Sequence, residues 1–511
     1  MTSDAGISQP GDRGGEDAAL RRLVNRCLLV AMDGHDPTDG MRDWLADGLG
    51  GVLLFAPNIT GPDQLRALAG GLREAGEDVL VAVDEEGGDV TRLHAADGSP
   101  SPGNLALGAA GDPDVTRRIA AAIGAELAAA RVNLNLAPVA DVNTNPDNPI
   151  IGTRSFGADP DVVAAHVVAY VEGLQSTGVA GCAKHFPGHG DTSLDSHLAL
   201  PTVTGDLADL APHLVPFRAA IKAGVRSILT AHVVFPALDE RPATISHRLL
   251  TGLLREELGF DGVIVTDSMT MAAIADGVGT AEGAVQALLA GADLICMNET
   301  HEDQLAVRDH VLAAVRDGRL PVARLEEAAA RVTALGVSTR DTPAPDTPPD
   351  FGPALAAARA ALTVRGVALP LPASPYVIEV AAPRRGIGLS AGSLLTQLRA
   401  RDPAVDGIRL HALEAGRPGG LEEALRAAAG RPLLLVVRDA HRDPSQRATL
   451  QRALSARPDA IVVGIGTTGD AALASGGYVG TRGGAGVNLE VAADALVSGP
   501  VRRVDSTAAK L

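Results

Sequence analysis

The sequence predicts an α/β protein: an N-terminal TIM-like (β/α)8 barrel followed by a smaller C-terminal α/β sandwich. Three observations carry that expectation. Eight short apolar runs recur through the first 340 residues, amphipathic segments lie between many of them, and a Pro-rich stretch then separates four further strand-like runs. The chain of 511 residues is too long for one ordinary core, which fits two domains.

In order, the first eight runs are NRCLLVAM (25–32), GVLLFA (51–56), DVLVAVD (78–84), VNLNLAPVADV (132–142), GVAGCAKH (178–185), RSILTAHVVF (226–235), GVIVTDS (262–268) and ADLICMN (292–298). Continuous apolar strands of this kind suit a parallel sheet covered on both faces. Helical patterns occupy 113–131, 159–178, 250–258 and 281–290. Eight strands with helical crossovers match the arithmetic of a barrel. A doubly wound open sheet is the competing architecture, and the lack of a glycine-rich fingerprint after the first strand weighs against it.

The segment STRDTPAPDTPPDFGP has no apolar period and marks a boundary. It divides the chain into a barrel over 20–337, a linker over 338–353 and a sandwich over 354–511. The later strands are YVIEVAA (376–382), GIRLHAL (407–413), PLLLVVRD (432–439) and AIVVGIG (460–466). The GIG at 464–466 reads as a strand end that needs glycine, more than as a phosphate loop. GGYVGTRGGAGV (476–487) reads as a flexible loop without chemistry.

A net charge of −18 argues against a nucleic-acid or anionic-membrane surface. Aromatic residues make up only 2% of the chain, which suits a small sugar-sized site better than a groove for a long polysaccharide. The N-terminal stretch shows no basic segment followed by an apolar one, and no run reaches a membrane span of about 20 apolar residues. Cys27, Cys182 and Cys296 are odd in number, widely spaced and set in apolar runs, as reduced thiols of a cytoplasmic protein would be.

In a barrel, chemistry gathers at the C-terminal strand ends. Polar segments follow five successive strands: DEEGGDVTRL (84–93), DVNTNPDNPIIGTRSFG (141–157), KHFPGHGDTSLDSH (184–197), AHVVFPALDE (231–240) and TDSMTMAAI (266–274). A metal is not expected. Pro187, Gly188 and Gly190 break any helix that would align His185 with His189, and no HExxH or paired Cys occurs. Asp267 ends an apolar strand, the placement a glycosidase nucleophile needs beside a second group that moves the proton of the leaving oxygen.

The segments KHFPGHGDTSLDSH, DEEGGDVTRL, IIGTRSFG and TDSMTMAAI resemble, in order and spacing, the motifs of glycoside hydrolase family 3 in its β-N-acetylhexosaminidase branch. The resemblance covers about residues 20–340. It implies that Asp267 is the nucleophile of a covalent glycosyl-enzyme. It implies that His197 of the Asp-Ser-His triplet is the acid/base, with Asp195 as its partner. It also implies that Asp84, Arg92, Arg154, Lys184 and His185 bind the hydroxyls of the sugar in the −1 subsite. Neither metal nor cofactor is implied. One position departs from the pattern: Asp89 stands where the family often has arginine after the two glycines. That leaves the local charge balance open.

Chemistry agrees with the histidine assignment. A free imidazole has a pKa of about 6.5, and a carboxylate two residues away in an extended loop can reach and orient it. Plainer uses exist for each residue: a helix cap for Asp267, a local cap for His197, a structural salt bridge for Lys184, backbone carbonyl contacts for Arg92 and Arg154, and a turn for Asp84. His189 suits bracing the loop as well as touching substrate, and His232 and Asp239 read as loop braces. The expected activity is a cytoplasmic, retaining exo-β-N-acetylglucosaminidase acting on short sugars such as muropeptides or chitin oligosaccharides. A phosphorylase of the same fold is the close alternative, because a histidine base does not repel phosphate. A catalytically inactive sugar sensor is the alternative from another class.

Overall fold

The computed structural model describes residues 10–193, 200–340, 348–381, 392–411 and 420–498. Its larger sheet has eight strands: β1 Leu28–Ala31, β2 Gly51–Leu54, β3 Leu80–Val83, β4 Leu134–Asn135, β5 Ala180–Phe186, β6 Ser227–Thr230, β7 Val263–Val265 and β8 Ile295–Met297. Each pairs in parallel with its sequence neighbour from β1 to β7, and β8 pairs with β1. A bridge between Val265 and Leu294 joins the remaining edges, so the barrel closes. Seven of the eight strands fall inside the apolar runs, and β5 passes the end of its run by one residue, Phe186.

The apolar runs are continuous because both strand faces are buried. Leu29, Leu53, Leu80, Ala82, Leu134, Cys182, Leu229 and Val265 fill the barrel interior. Their neighbours Leu28, Val30, Val52, Leu54, Val81 and Ile264 pack outward against the helices. Alternation of side chains along a strand produces both layers from one run.

Two crossover helices begin on the same local signal. Asp112 caps Pro113–Ala129 by accepting from Asp114 N at 3.0 Å and Val115 N at 3.3 Å. Asp159 caps Pro160–Gln175 in the same way. In each case proline occupies the first helical turn, where its missing N–H costs nothing.

The second domain holds a six-stranded sheet: β9 Thr363–Arg365, β10 Tyr376–Ala381, β11 Asp406–His411, β12 Leu433–Val437, β13 Ile461–Gly464 and β14 Tyr478–Gly480, ordered β9-β14-β13-β12-β10-β11. Only the β9–β14 pair is antiparallel. Two of these strands lie outside the runs picked from the sequence. Residues 478–480, expected within a flexible loop, form a fully buried strand instead. Residues 341–347 of the expected linker, and the strand ends at 382 and 412–413, lie outside the described residues.

Run 132–142 also differs: only Leu134–Asn135 is strand. Pro138 offers no backbone donor to a sheet ladder, so the rest continues as buried loop. That loop still follows β5, with Val139 bridging Lys184.

Candidate active site

Asp84, Arg92, Arg154, Lys184, His185 and Asp267 line one cavity of about 320 Å³ at the C-terminal mouth of the barrel. Six of the eight residues singled out in the sequence are therefore brought together. Asp195 and His197 lie outside the described residues. The volume is at the small end of ligand pockets, the size for about one sugar ring.

Asp84 directly follows β3 and Lys184 stands on β5. The Lys184 ammonium donates to Asp84 Oδ1 at 2.6 Å and lies 2.7 Å from Glu86 Oε1. Arg154, on a short 3-10 turn at Gly152–Arg154, grips Glu86 from the other side. Its Nε donates to Oε2 at 3.0 Å and its Nη2 to Oε1 at 2.7 Å. Burial alone would raise the Glu86 carboxyl, but Arg154 and Lys184 overcome it and hold the group well below the usual range. Asp84 follows the same logic, with Lys184 and then Arg92 outweighing burial. Burial would lower Lys184, and Asp84 and Glu86 raise it instead. The cations stay charged because carboxylates neutralise them inside the protein.

Arg92 is aimed by the same turn. Its backbone N and that of Leu93 donate to Glu85 Oε2 at 2.8 and 3.0 Å, which folds the DEEGGDVTR segment back on itself. The guanidinium then sits 3.6 Å from Asp84 Oδ2 and 5.9 Å from the centre of the Phe55 ring. Burial raises the Glu85 carboxyl, and its hydrogen bonds within the turn oppose that rise.

His185 is fixed on both ring nitrogens. Nδ1 lies 2.7 Å from Asp141 Oδ2, and Nε2 lies 3.3 Å from Arg154 Nη2. A guanidinium only donates, so Nε2 is the acceptor and the imidazole proton sits on Nδ1, facing Asp141. Asp141 Oδ1 also accepts from His189 N at 2.7 Å, which ties the start of the KHFPGHGD loop to the loop after β4.

His189 lines the cavity and also braces its loop, with Nδ1 2.8 Å from Thr192 Oγ1 and its ring edge against His185. Burial, helped by the neighbouring His185, pushes its pKa down to about 4. His232 braces the loop after β7, with Nε2 2.8 Å from the Ser268 carbonyl and Nδ1 2.8 Å from Thr244 Oγ1. Asp267 follows β7, half-buried, with Oδ1 accepting from Ser268 N at 2.8 Å.

Sequence reasoning missed Glu86 and Asp141. Each is buried and each fixes residues that were named. Glu86 shares its motif with Asp84, and its buried charge has no use without cations nearby. That was the available signal. Among the described residues, no cluster of three His, Cys, Asp or Glu side chains offers a metal site. Among those residues too, no helix is long and apolar enough to cross a membrane.

The departure at Asp89 has a partner. Arg438, just past β12 in the second domain, donates through Nη1 to Asp89 Oδ2 at 2.7 Å and through Nη2 to Oδ1 at 3.2 Å. The carboxylate that left the local charge balance open is thus paired with a cation from the second domain.

Comparison with known proteins places this arrangement. Residues 25–335 match the model of the glycosyl hydrolase family 3 N terminal domain. A family 3 β-N-acetylglucosaminidase from Paenibacillus sp. str. FPU-7 superposes with a TM-score of 0.84 at 32% identity, covering 94% of this chain and 98% of that one. Beta-hexosaminidase A of Pseudoalteromonas piscicida is 39% identical over 273 residues, 49% of this chain and 46% of that protein. The beta-N-acetylglucosaminidase/beta-glucosidase of Cellulomonas fimi is 34% identical over 338 residues, 63% of this chain and 58% of that protein. The chain thus spans about half the length of these two curated relatives. With the family model covering most of the barrel and the motifs gathered at its mouth, the chain belongs to glycosyl hydrolase family 3.

Proposed function

We propose that the protein is a retaining exo-β-N-acetylglucosaminidase that removes terminal N-acetylglucosamine from short glycosides such as muropeptides or chitin oligosaccharides. The observation that carries this reading is the position of Asp267. Its carboxylate opens into the same one-ring cavity as the charged groups Asp84, Arg92, Arg154 and Lys184. Similarity to the Paenibacillus β-N-acetylglucosaminidase along nearly its whole length supports the sugar preference.

In this reading the paired cations and carboxylates hydrogen-bond the hydroxyls of the sugar. Asp267 attacks the anomeric carbon and forms a glycosyl ester. The bond to the leaving oxygen breaks, and His197, oriented by Asp195, gives that oxygen its proton. The neutral imidazole then takes a proton from water, which opens the ester and returns Asp267 as carboxylate. A cytoplasmic location is part of the proposal, supported by three buried free cysteines suited to a reducing compartment.

Incubation with p-nitrophenyl N-acetyl-β-glucosaminide, with and without millimolar phosphate, tests the reading. Free N-acetylglucosamine released at a phosphate-independent rate is expected. A sugar 1-phosphate formed only with phosphate would replace hydrolysis by phosphorolysis. No turnover in either buffer would contradict the proposal.

A further inference from the structure

Asp89 binds three separate parts of the molecule. Its Oδ2 accepts from Thr153 Oγ1 at 2.8 Å, and Thr153 directly precedes Arg154. Its Oδ1 accepts from Gly484 N at 2.7 Å, in the loop after β14. Both oxygens receive the Arg438 guanidinium. Asp89 itself lies three residues before Arg92, in the turn that aims it. One carboxylate, with a side chain only 2% exposed, therefore joins the carriers of both cavity arginines to the second domain.

The second-domain side of this contact is built for the purpose. The backbone of Arg438 is held by Gln446, whose Oε1 accepts from its N–H at 3.1 Å and whose Nε2 donates to its carbonyl at 2.9 Å. A Cβ at Gly484 would fall 2.0 Å from Arg438 Nη2, so only glycine lets this backbone N–H reach Asp89 beside the guanidinium. Burial would lower Arg438, and Asp89 outweighs it and keeps the group charged. Bidentate pairing to a carboxylate fixes angle as well as distance.

We propose that the second domain is a positioning part of the sugar site, and that the Arg438–Asp89 clasp sets where Arg92 and Arg154 stand in the cavity. Arg438 touches no sugar in this account. It acts through Asp89 on two loops. The inference rests on the reading that the cavity holds one N-acetylglucosamine unit.

The test uses the full chain. Binding of free N-acetylglucosamine is measured by calorimetry, and kcat and KM are measured on the p-nitrophenyl glycoside, at a temperature where circular dichroism shows each variant folded. Arg438→Ala is expected to weaken sugar binding and lower kcat/KM by roughly 10- to 100-fold, as small misplacements of binding groups do. Arg438→Lys should recover part of the loss, because an ammonium cannot make the bidentate pair. If both variants act through one clasp, adding Asp89→Asn to Arg438→Ala should cost no more than about a further twofold. Should Arg438→Ala not fold, Arg438→Lys and Gly484→Ala carry the same comparison. Folded variants that bind the sugar within about twofold of wild type, or losses that multiply in the double variant, would overturn the proposal. A wild-type protein that neither binds N-acetylglucosamine nor cleaves its aryl glycoside would contradict the functional reading first, and this inference with it.

Discussion

The Glu86 carboxylate stands between Arg154 and Lys184, with Arg154 Nη2 and Lys184 Nζ each 2.7 Å from the same oxygen, Oε1. Two cations that would repel one another are held together by one buried anion. The same pair of cations faces the cavity, so the geometry of the sugar site depends on a residue the sugar need not touch.

Glu86→Gln should therefore damage the site while leaving the fold recognisable. It removes the charge that pairs with Arg154 and leaves Lys184 with Asp84 alone. Breaking a buried ion pair on one side costs roughly 3–5 kcal/mol, so a clear fall in Tm is expected. Activity should drop by at least about tenfold through misplaced Arg154 and Lys184. Thermal melts and steady-state kinetics check both. Unchanged activity would separate Glu86 from the site.

Acid should unfold the protein in two stages. His189 has a folded pKa of about 4 against an ordinary value of 6.5. Between those values the unfolded chain binds a proton that the folded chain does not, so stability falls as pH drops through this window. The loss amounts to about 3 kcal/mol at the acid end. Asp84 and Glu86 carry depressed folded values. Their contribution is present above the ordinary carboxylate range and is lost as pH falls further. Denaturant melts across pH should show both stages, and His189→Gln should flatten only the first. An unchanged upper slope in that variant would contradict the assignment.

His197→Gln should show a dependence on the leaving group. A histidine acid matters most when the departing oxygen is strongly basic. Loss of kcat/KM, which reports cleavage of the glycosidic bond and not the later opening of the ester, should approach roughly 10²- to 10⁴-fold on an N-acetylglucosamine disaccharide and be much smaller on the p-nitrophenyl glycoside. Equal losses on both would remove His197 from proton transfer to the leaving group.

The barrel was legible because parallel strands bury both faces and so write unbroken apolar runs. Leu28 to Val30 and Val52 to Leu54 are the plain cases. Strand β14 was hidden because Gly476 and Gly477 precede it and Gly480 ends it, which breaks its pattern, although the strand is fully buried. In the site, Asp84, Lys184 and Asp267 stood out as charges at the ends of apolar strands. Glu86 and Asp141 did not, since their meaning comes from partners distant in sequence. Arg154 lies 68 positions from Glu86 and His185 lies 44 from Asp141. Asp89 was noticed only as a departure. Its partner Arg438 is 349 positions away, and no spacing rule connects them.

In the proposed reaction everything turns on a covalent bond between Asp267 and the sugar. The direct measurement is to mix the protein with an activated N-acetylglucosaminide, quench in acid within the first turnovers, digest, and find the modified peptide by mass spectrometry. One N-acetylglucosaminyl adduct is expected on the peptide containing Asp267, absent from Asp267→Asn, which should also lose nearly all turnover. An adduct on another carboxylate, or full turnover by Asp267→Asn, would contradict it.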